Sequence, residues 1–354
     1  MKKKGERFSV AKSIGLLEIF PRLLLFLSLA STPGIFNCAF ASEPGKIVGV
    51  QFENDLFGGG TDRHFTHGSR IFAVTEPIDW IADAADKIPW FSKEKAMKEN
   101  LDRLQARTAV SFGQNIFTPE DITRTQLNEK DRPYAGWLYM GFGIAANQGT
   151  RRFDQLEINI GVVGPSSLAD EVQTTWHDWF DLTEPKGWDN QLEDELGVVL
   201  YYEQARRFEI KKFAWGLKWD LMPHFGGAVG NVYTFGKLGF TFRLGSDLTT
   251  DFGPPRIRPS MPGSGFYKTG ERLAWYIFAG AEGRLVARNI FLDGNTFKDS
   301  HSVDKKPLVG DVQVGLVLQY DGFRLSYTQI FRTQEFNGQN DANRFGSLAI
   351  SYQF

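Results

Sequence analysis

Cysteine is nearly missing from this chain: the one residue, Cys38, stands close to the start. That stretch is expected to be a leader, so the rest of the chain, which holds no cysteine, can build neither a disulfide framework nor a thiolate metal site. Long apolar runs are missing as well. Leu23-Leu24-Leu25-Phe26-Leu27-Ser28-Leu29-Ala30 is too short to cross a bilayer as a helix, and no later segment approaches the roughly 20 apolar residues that a spanning helix needs. A charge excess is absent too. A net charge of -2 and a pI near 6.3 provide no basic field to hold a polyanion, which excludes nucleic acid as a partner.

What is present points outward from the cell interior. Met1-Lys2-Lys3-Lys4-Gly5-Glu6-Arg7 is basic, the apolar run follows, and Ala39-Phe40-Ala41 precedes Ser42. Basic, apolar and small-residue blocks in that order predict a secretory leader over 1–41 and a mature chain over 42–354. Pro33-Gly34 and Asn37 directly after the apolar run argue against a buried N-terminal helix. A lipidated Cys38 would want a small residue beside it, and Ile35-Phe36-Asn37 supplies none.

Aromatic residues at 14% and 37 glycines suit a membrane barrel of short-turned strands better than a helical bundle. Alternation of period two marks half-buried strands. In 152–163, Leu156, Ile158, Ile160 and Val162 point one way, and Gln155, Glu157, Asn159 and Gly161 the other. In a barrel the first set meets lipid and the second the lumen. The same pattern predicts about twelve strands, at 46–54, 66–75, 107–115, 137–147, 152–163, 196–208, 211–223, 232–244, 273–289, 310–320, 323–332 and 345–354. Asn147-Gln148-Gly149-Thr150 and Asp321-Gly322 read as hairpin turns. The expected fold is therefore an all-β, antiparallel transmembrane barrel, and an even strand number puts both termini on one side.

The last strand ends Leu348, Ile350, Tyr352, Phe354 on one face, which resembles the C-terminal signal read by the bacterial barrel-assembly machinery. Two segments exceed a minimal barrel. Residues 76–106 look helical around Trp80-Ile81-Ala82, and 245–272 is rich in Gly and Pro; both fall on the periplasmic side, where turns are usually short. In 166–183, Leu168, Val172, Trp176, Trp179 and Phe180 recur at helical spacing. This predicts an outer helix over the barrel mouth, capped by Ser167.

By strand parity, Asn54-Asp55 at the end of the first strand reaches the outer rim. There it meets the loop Gly58-Gly59-Gly60-Thr61-Asp62-Arg63-His64-Phe65-Thr66-His67-Gly68, the helix bearing His177 and the stretch 116–136 after the third strand. Carboxylate, amide, hydroxyl and imidazole together form a constellation suited to hydrolysis. Each has an ordinary reading beside it: Asn-Asp near glycines is common turn chemistry, and a histidine on an amphipathic helix is commonly a packing residue.

At these residues the chain resembles the lipid A 3′-O-deacylase family of outer-membrane proteins. The blocks that carry the resemblance are Glu53-Asn54-Asp55, Phe65-Thr66-His67-Gly68, Gln114-Asn115-Ile116-Phe117-Thr118-Pro119, Asp131-Arg132-Pro133-Tyr134-Ala135-Gly136-Trp137, Gly164-Pro165 with Val172-Gln173 and His177, Gly187-Trp188-Asp189-Asn190-Gln191-Leu192, and Gly226-Gly227-Ala228-Val229-Gly230-Asn231. The resemblance implies a twelve-stranded barrel in the bacterial outer membrane. It further implies that the barrel removes the 3′-linked acyloxyacyl group of lipid A, within lipopolysaccharide, in a calcium-dependent reaction. It maps the site onto Asn54, Asp55, Thr66 and His177, with His177 as base on a water and Asp55 as a calcium ligand. The chain departs from the family in two places. A Lys-Arg pair expected after the Thr-Pro is replaced by Glu120-Asp121-Ile122-Thr123-Arg124-Thr125, leaving Arg124 as the one base toward substrate phosphates. The acidic residue expected after the histidine finds its nearest match in Glu184, one position off. Two other readings stay open: a hydrolase of another lipid ester, and a channel or structural barrel without catalysis.

Overall fold

Strands form here because apolar and polar residues alternate, and the two faces of each strand then find different surroundings. The computed structural model describes residues 45–57, 64–88, 104–208, 211–248, 251–261, 263–270 and 272–354. The expected leader and the loop tip 58–63 lie outside them. Twelve long strands are present: β1 (Ile47–Asn54), β2 (His64–Val74), β3 (Leu104–Thr118), β4 (Ala135–Gln148), β5 (Arg152–Val163), β6 (Glu195–Arg206), β7 (Lys218–Gly230), β8 (Tyr233–Gly245), β9 (Ala274–Asn289), β10 (Leu308–Tyr320), β11 (Phe323–Arg332) and β12 (Asn343–Gln353). Each pairs antiparallel with the next, and β1 pairs with β12 from Ile47↔Gln353 to Asn54↔Gly346. That closure leaves no sheet edge, as a membrane-spanning sheet requires. No described helix is long and apolar enough to cross a membrane.

Eleven of the expected strands overlap their observed counterparts closely; the seventh does not. Expected at 211–223, it runs over Lys218–Gly230. The aromatic alternation of Phe213 and Trp215 belongs to a turn, with Trp215 at φ 73° and Gly216 at φ 81°, and Trp215 is 97% exposed. The Asp321-Gly322 hairpin carries positive φ at both residues, the geometry that matches the twist of adjoining strands.

Outside the barrel wall, Ile160, Leu196, Leu200, Phe240, Leu316 and Leu325 are exposed, while Gln155, Glu157 and Asn159 are buried within. The expected helical stretch near Trp80 is α1 (Asp79–Asp86). It packs Ile81, Ala82 and Ala85 on Ala106 and Ala146. Residues 89–103 lie outside the described set.

The Gly- and Pro-rich segment has a physical explanation that alternation alone does not supply: its stretch 251–261 folds into the lumen. Gln51 donates to the Pro255 carbonyl at 2.5 Å. The Arg258 guanidinium bridges Glu157 at 3.2 Å and Glu203 at 2.8 Å. Asp251 pairs with Arg243 at 2.5 Å and Arg324 at 2.9 Å. Glycine and proline let this chain turn tightly in a confined space, and its buried charges are paired, as burial demands. Toward the other end, Phe65, Phe117, Trp137, Tyr233 and Phe291 form an aromatic plug.

Candidate functional site

The site grows from the outer face of β1, β2 and β3. Gln51 and Glu53 point into the lumen, where they meet Pro255 and Arg256; by alternation Asn54 points out. In β3, Phe117 lies in the lumenal aromatic cluster, so Ile116 and Thr118 face out. In β2 the register slips: Phe65 pairs with Phe117 and His67 with Ile116, leaving Thr66 as the extra residue of a β-bulge. A bulge re-aims side chains. Here Thr66 and Thr118 meet through their hydroxyl oxygens at 2.6 Å.

The wall of this face is completed by α2 (Ala169–Phe180). Its buried residues are Ala169, Gln173 and His177, successive turns of one helical stripe, whereas Leu168 and Trp179 are 51% and 55% exposed. The small and polar stripe thus meets the barrel most closely, with Trp176 of the apolar stripe reaching His67 on β2. The helix lies against the outer wall beside the rim rather than across the mouth. Gly136 on β4 allows this approach, since a Cβ there would lie 2.0 Å from Ser167 Oγ and 2.2 Å from Ala169 Cβ. Ser167 does not cap the helix as expected. Its hydroxyl donates to the Gly164 carbonyl at 2.6 Å, and Leu168, in the left-handed region at φ 58°, holds the cap position.

Between helix and wall lies a pocket lined by Asn54, Thr66, His67, Ile116, Val172, Gln173, Trp176 and His177. Three of the residues expected from sequence, Asn54, Thr66 and His177, therefore meet in one place. Asp55 follows Asn54 in a short 3-10 turn, Asp55–Phe57, and is 3% exposed. Nδ1 of His177 hydrogen-bonds the Thr183 carbonyl. A carbonyl only accepts, so Nδ1 carries the proton and Nε2 the lone pair. The Asn54 amide nitrogen faces Nδ1 of His67 at 3.4 Å, and the His67 ring stands 5.6 Å from Trp176.

Arg124 and Glu184 lie apart from this pocket. Arg124 lines a separate cleft with Asp121, Gln126, Asn128, Tyr134 and Asn190. Glu184 pairs with Lys186 at 3.6 Å, both well exposed, and the backbone of its neighbour Thr183, not its carboxylate, reaches His177.

The remaining sequence blocks build the support. Trp188 Nε1 donates to Gln173 Oε1 at 3.0 Å, and Tyr134 packs on Trp188 at 4.8 Å while its hydroxyl donates to the Ile122 carbonyl at 3.1 Å. Asp131 accepts from the amides of Glu120 and Arg132, both at 2.8 Å. Burial pushes its carboxyl up while those amides pull it down, with a net rise. Sequence reasoning assigned no role to Thr118, Gln173, His67 or Trp176. Thr118, Gln173 and His67 stand inside the quoted blocks, but only the bulge sets Thr118 against Thr66 and only the helix orientation brings Gln173 to the pocket beside His67.

Comparison with known proteins adds the following. A family model described as "Outer membrane protein LpxR" matches residues 23–354. Among solved structures, LpxR from Salmonella typhimurium superposes with a TM-score of 0.70 at 20% identity, covering 87% of this chain and 100% of that one. The β domain of the Bordetella autotransporter BrkA reaches a TM-score of 0.43 at 10% identity, covering 88% of this chain and 100% of that one; it carries no argument. No curated protein matches the sequence.

Proposed function

The chain belongs to the LpxR family of outer membrane proteins, and from that premise we propose that it is a calcium-dependent lipid A deacylase that hydrolyses the 3′-linked acyloxyacyl ester. The observation that carries this reading is the pocket between α2 and the outer face of the wall, where Asn54, Thr66 and His177 meet. A site on the outside of the barrel is open to a lipid arriving sideways from the membrane and closed off from the lumen.

In this reading His177 is the general base. With Nδ1–H held by the Thr183 carbonyl, Nε2 takes a proton from water as the oxygen attacks the ester carbonyl. When the tetrahedral intermediate collapses, the carbon–oxygen bond to the sugar breaks. The imidazolium returns its proton to the leaving alkoxide, giving a free fatty acid and a sugar hydroxyl. The Thr66–Thr118 hydroxyl pair and Asn54 orient the ester.

Among the described residues no three His, Cys, Asp or Glu side chains gather as a metal site, so a transition-metal centre has no support here. Calcium accepts a single carboxylate with neutral oxygens, and Asp55 with the side-chain oxygens of Asn54 and Thr66 forms a set of that chemistry. These residues would hold it. A bound calcium would polarise the ester carbonyl and offset charge on its oxygen.

Mass spectrometry of lipid A from cells expressing the protein tests the assignment. Loss of the 3′-linked acyl groups with wild type, and intact lipid A with His177→Ala, is the expected result. Intact lipid A with both would overturn it.

A further inference from the structure

The lumenal segment stands directly behind the pocket, on the other side of a wall one strand thick. Glu53, the neighbour of Asn54, takes three hydrogen bonds from it: Arg256 Nε and Nη2, each at 3.1 Å, and the Ile257 amide at 3.1 Å. Ile257 also backs β2, since a Cβ on Gly68 would lie 2.9 Å from its Cδ1. The Arg256 guanidinium sits 5.6 Å from the Phe345 ring, which packs at 5.1 Å on Phe65, the residue before the bulge. The segment is tied to the far wall as well, through Arg258 to Glu157 and Glu203 and through the Ser260 carbonyl to Lys237.

We propose that residues 251–261 form a brace across the lumen that positions the outward site, and that Arg256 is its positioning residue. Period-two geometry supplies the coupling: with Glu53 clamped inward, the next side chain, Asn54, is held outward in one orientation, and Asp55 follows it. A small misplacement of such groups costs far more in rate than in binding. A simple filler would need to be apolar and close-packed. This segment instead pairs its charges with Glu53 on β1 and with Glu157 and Glu203 on the wall opposite, through buried contacts, while Ile257 backs β2.

The inference rests on the deacylase reading for its kinetic test, so a second readout is paired with it. Arg256→Ala, Arg256→Lys and the double change Glu53→Gln with Arg256→Gln, which leaves no unpaired charge, are compared with Arg152→Ala. That last variant breaks a buried pair with Asp154 away from β1. Folding is checked by the heat-sensitive gel mobility of intact barrels, and amide hydrogen exchange is followed in β1 and β2. In folded Arg256→Ala and the double variant, kcat is expected to fall roughly tenfold or more with KM within about twofold of wild type. Exchange should rise around Asn54, Arg256→Lys should recover part of the rate, and Arg152→Ala should match wild type in both readouts. Wild-type kcat in a folded Arg256→Ala barrel overturns the brace, as does an equal loss in Arg152→Ala. If wild type itself shows no deacylation, the enzyme reading fails, and the brace is decided by exchange alone: unchanged protection around Asn54 overturns it.

Discussion

His177 on α2 is joined to the carbonyl of Thr183, six residues further on, by a chain that reverses at Asp181 in the left-handed region, φ 54°. The turn that ends the helix thus also fixes the tautomer of its histidine, because the carbonyl holds Nδ1–H and leaves Nε2 to accept. His177→Ala should lower the deacylation rate by roughly 10²- to 10⁴-fold with the barrel intact. Steady-state kinetics of both proteins on purified substrate check it.

Calcium removal gives the second expectation. A chelator should abolish deacylation, and calcium, but not magnesium at the same concentration, should restore it, because an adaptable set with one carboxylate suits the larger ion. Asp55→Ala should raise the calcium needed for half-maximal rate by roughly tenfold or more. Calcium titrations of the two proteins decide it, and equal midpoints would remove Asp55 from the metal.

Thr118 was not among the residues expected to act, yet its hydroxyl meets that of Thr66 at 2.6 Å. Thr118→Val keeps the shape and removes the partner. Loss of a buried hydrogen bond costs about 1 kcal/mol, so the rate should drop roughly fivefold. Steady-state kinetics on the folded variant measures it.

The seat of α2 depends on a missing side chain. Gly136→Ala should drive the helix off the wall, since its Cβ would meet Ala169 Cβ at 2.2 Å, and so separate His177 from Asn54 and Thr66. Activity should fall sharply while the gel mobility of the folded barrel persists. Gly283→Ala, with nothing within 4 Å of the added Cβ, should leave activity unchanged.

The lumen holds buried ion pairs and an inserted segment, which bears on the reading of this barrel as a channel. Planar-bilayer recordings should show no steady open-channel current. Sustained conductance would mean that residues 251–261 leave the lumen.

Much of this architecture was legible in the sequence, because strands with one lipid-facing side write their period directly into the residue order. Glu157 and Asn159 inward, Ile158 and Ile160 outward, follow from alternation alone. The exception shows the limit of that reasoning: Phe213 and Trp215 alternate like a strand but sit in a turn whose rings are exposed. Segment 245–272 was equally opaque, since Gly and Pro specify turning and say nothing of where the chain turns to. Its destination depends on Glu53, Glu157, Glu203 and Arg324, which come from strands distant in sequence.

For the site, the residue types at Asn54, Thr66 and His177 were readable from local motifs, but their meeting was not. It depends on an extra residue in β2 that turns Thr66 outward, and on a helix that buries Ala169, Gln173 and His177 while exposing Leu168 and Trp179. The sequence by itself determined a closed antiparallel barrel, because period-two patterning is local and each strand carries it. Only the tertiary structure decided which side of the wall bears the chemistry and what stands behind it. A bulge, a helix seat at Gly136 and a lumenal arginine act through contacts between residues far apart in the chain.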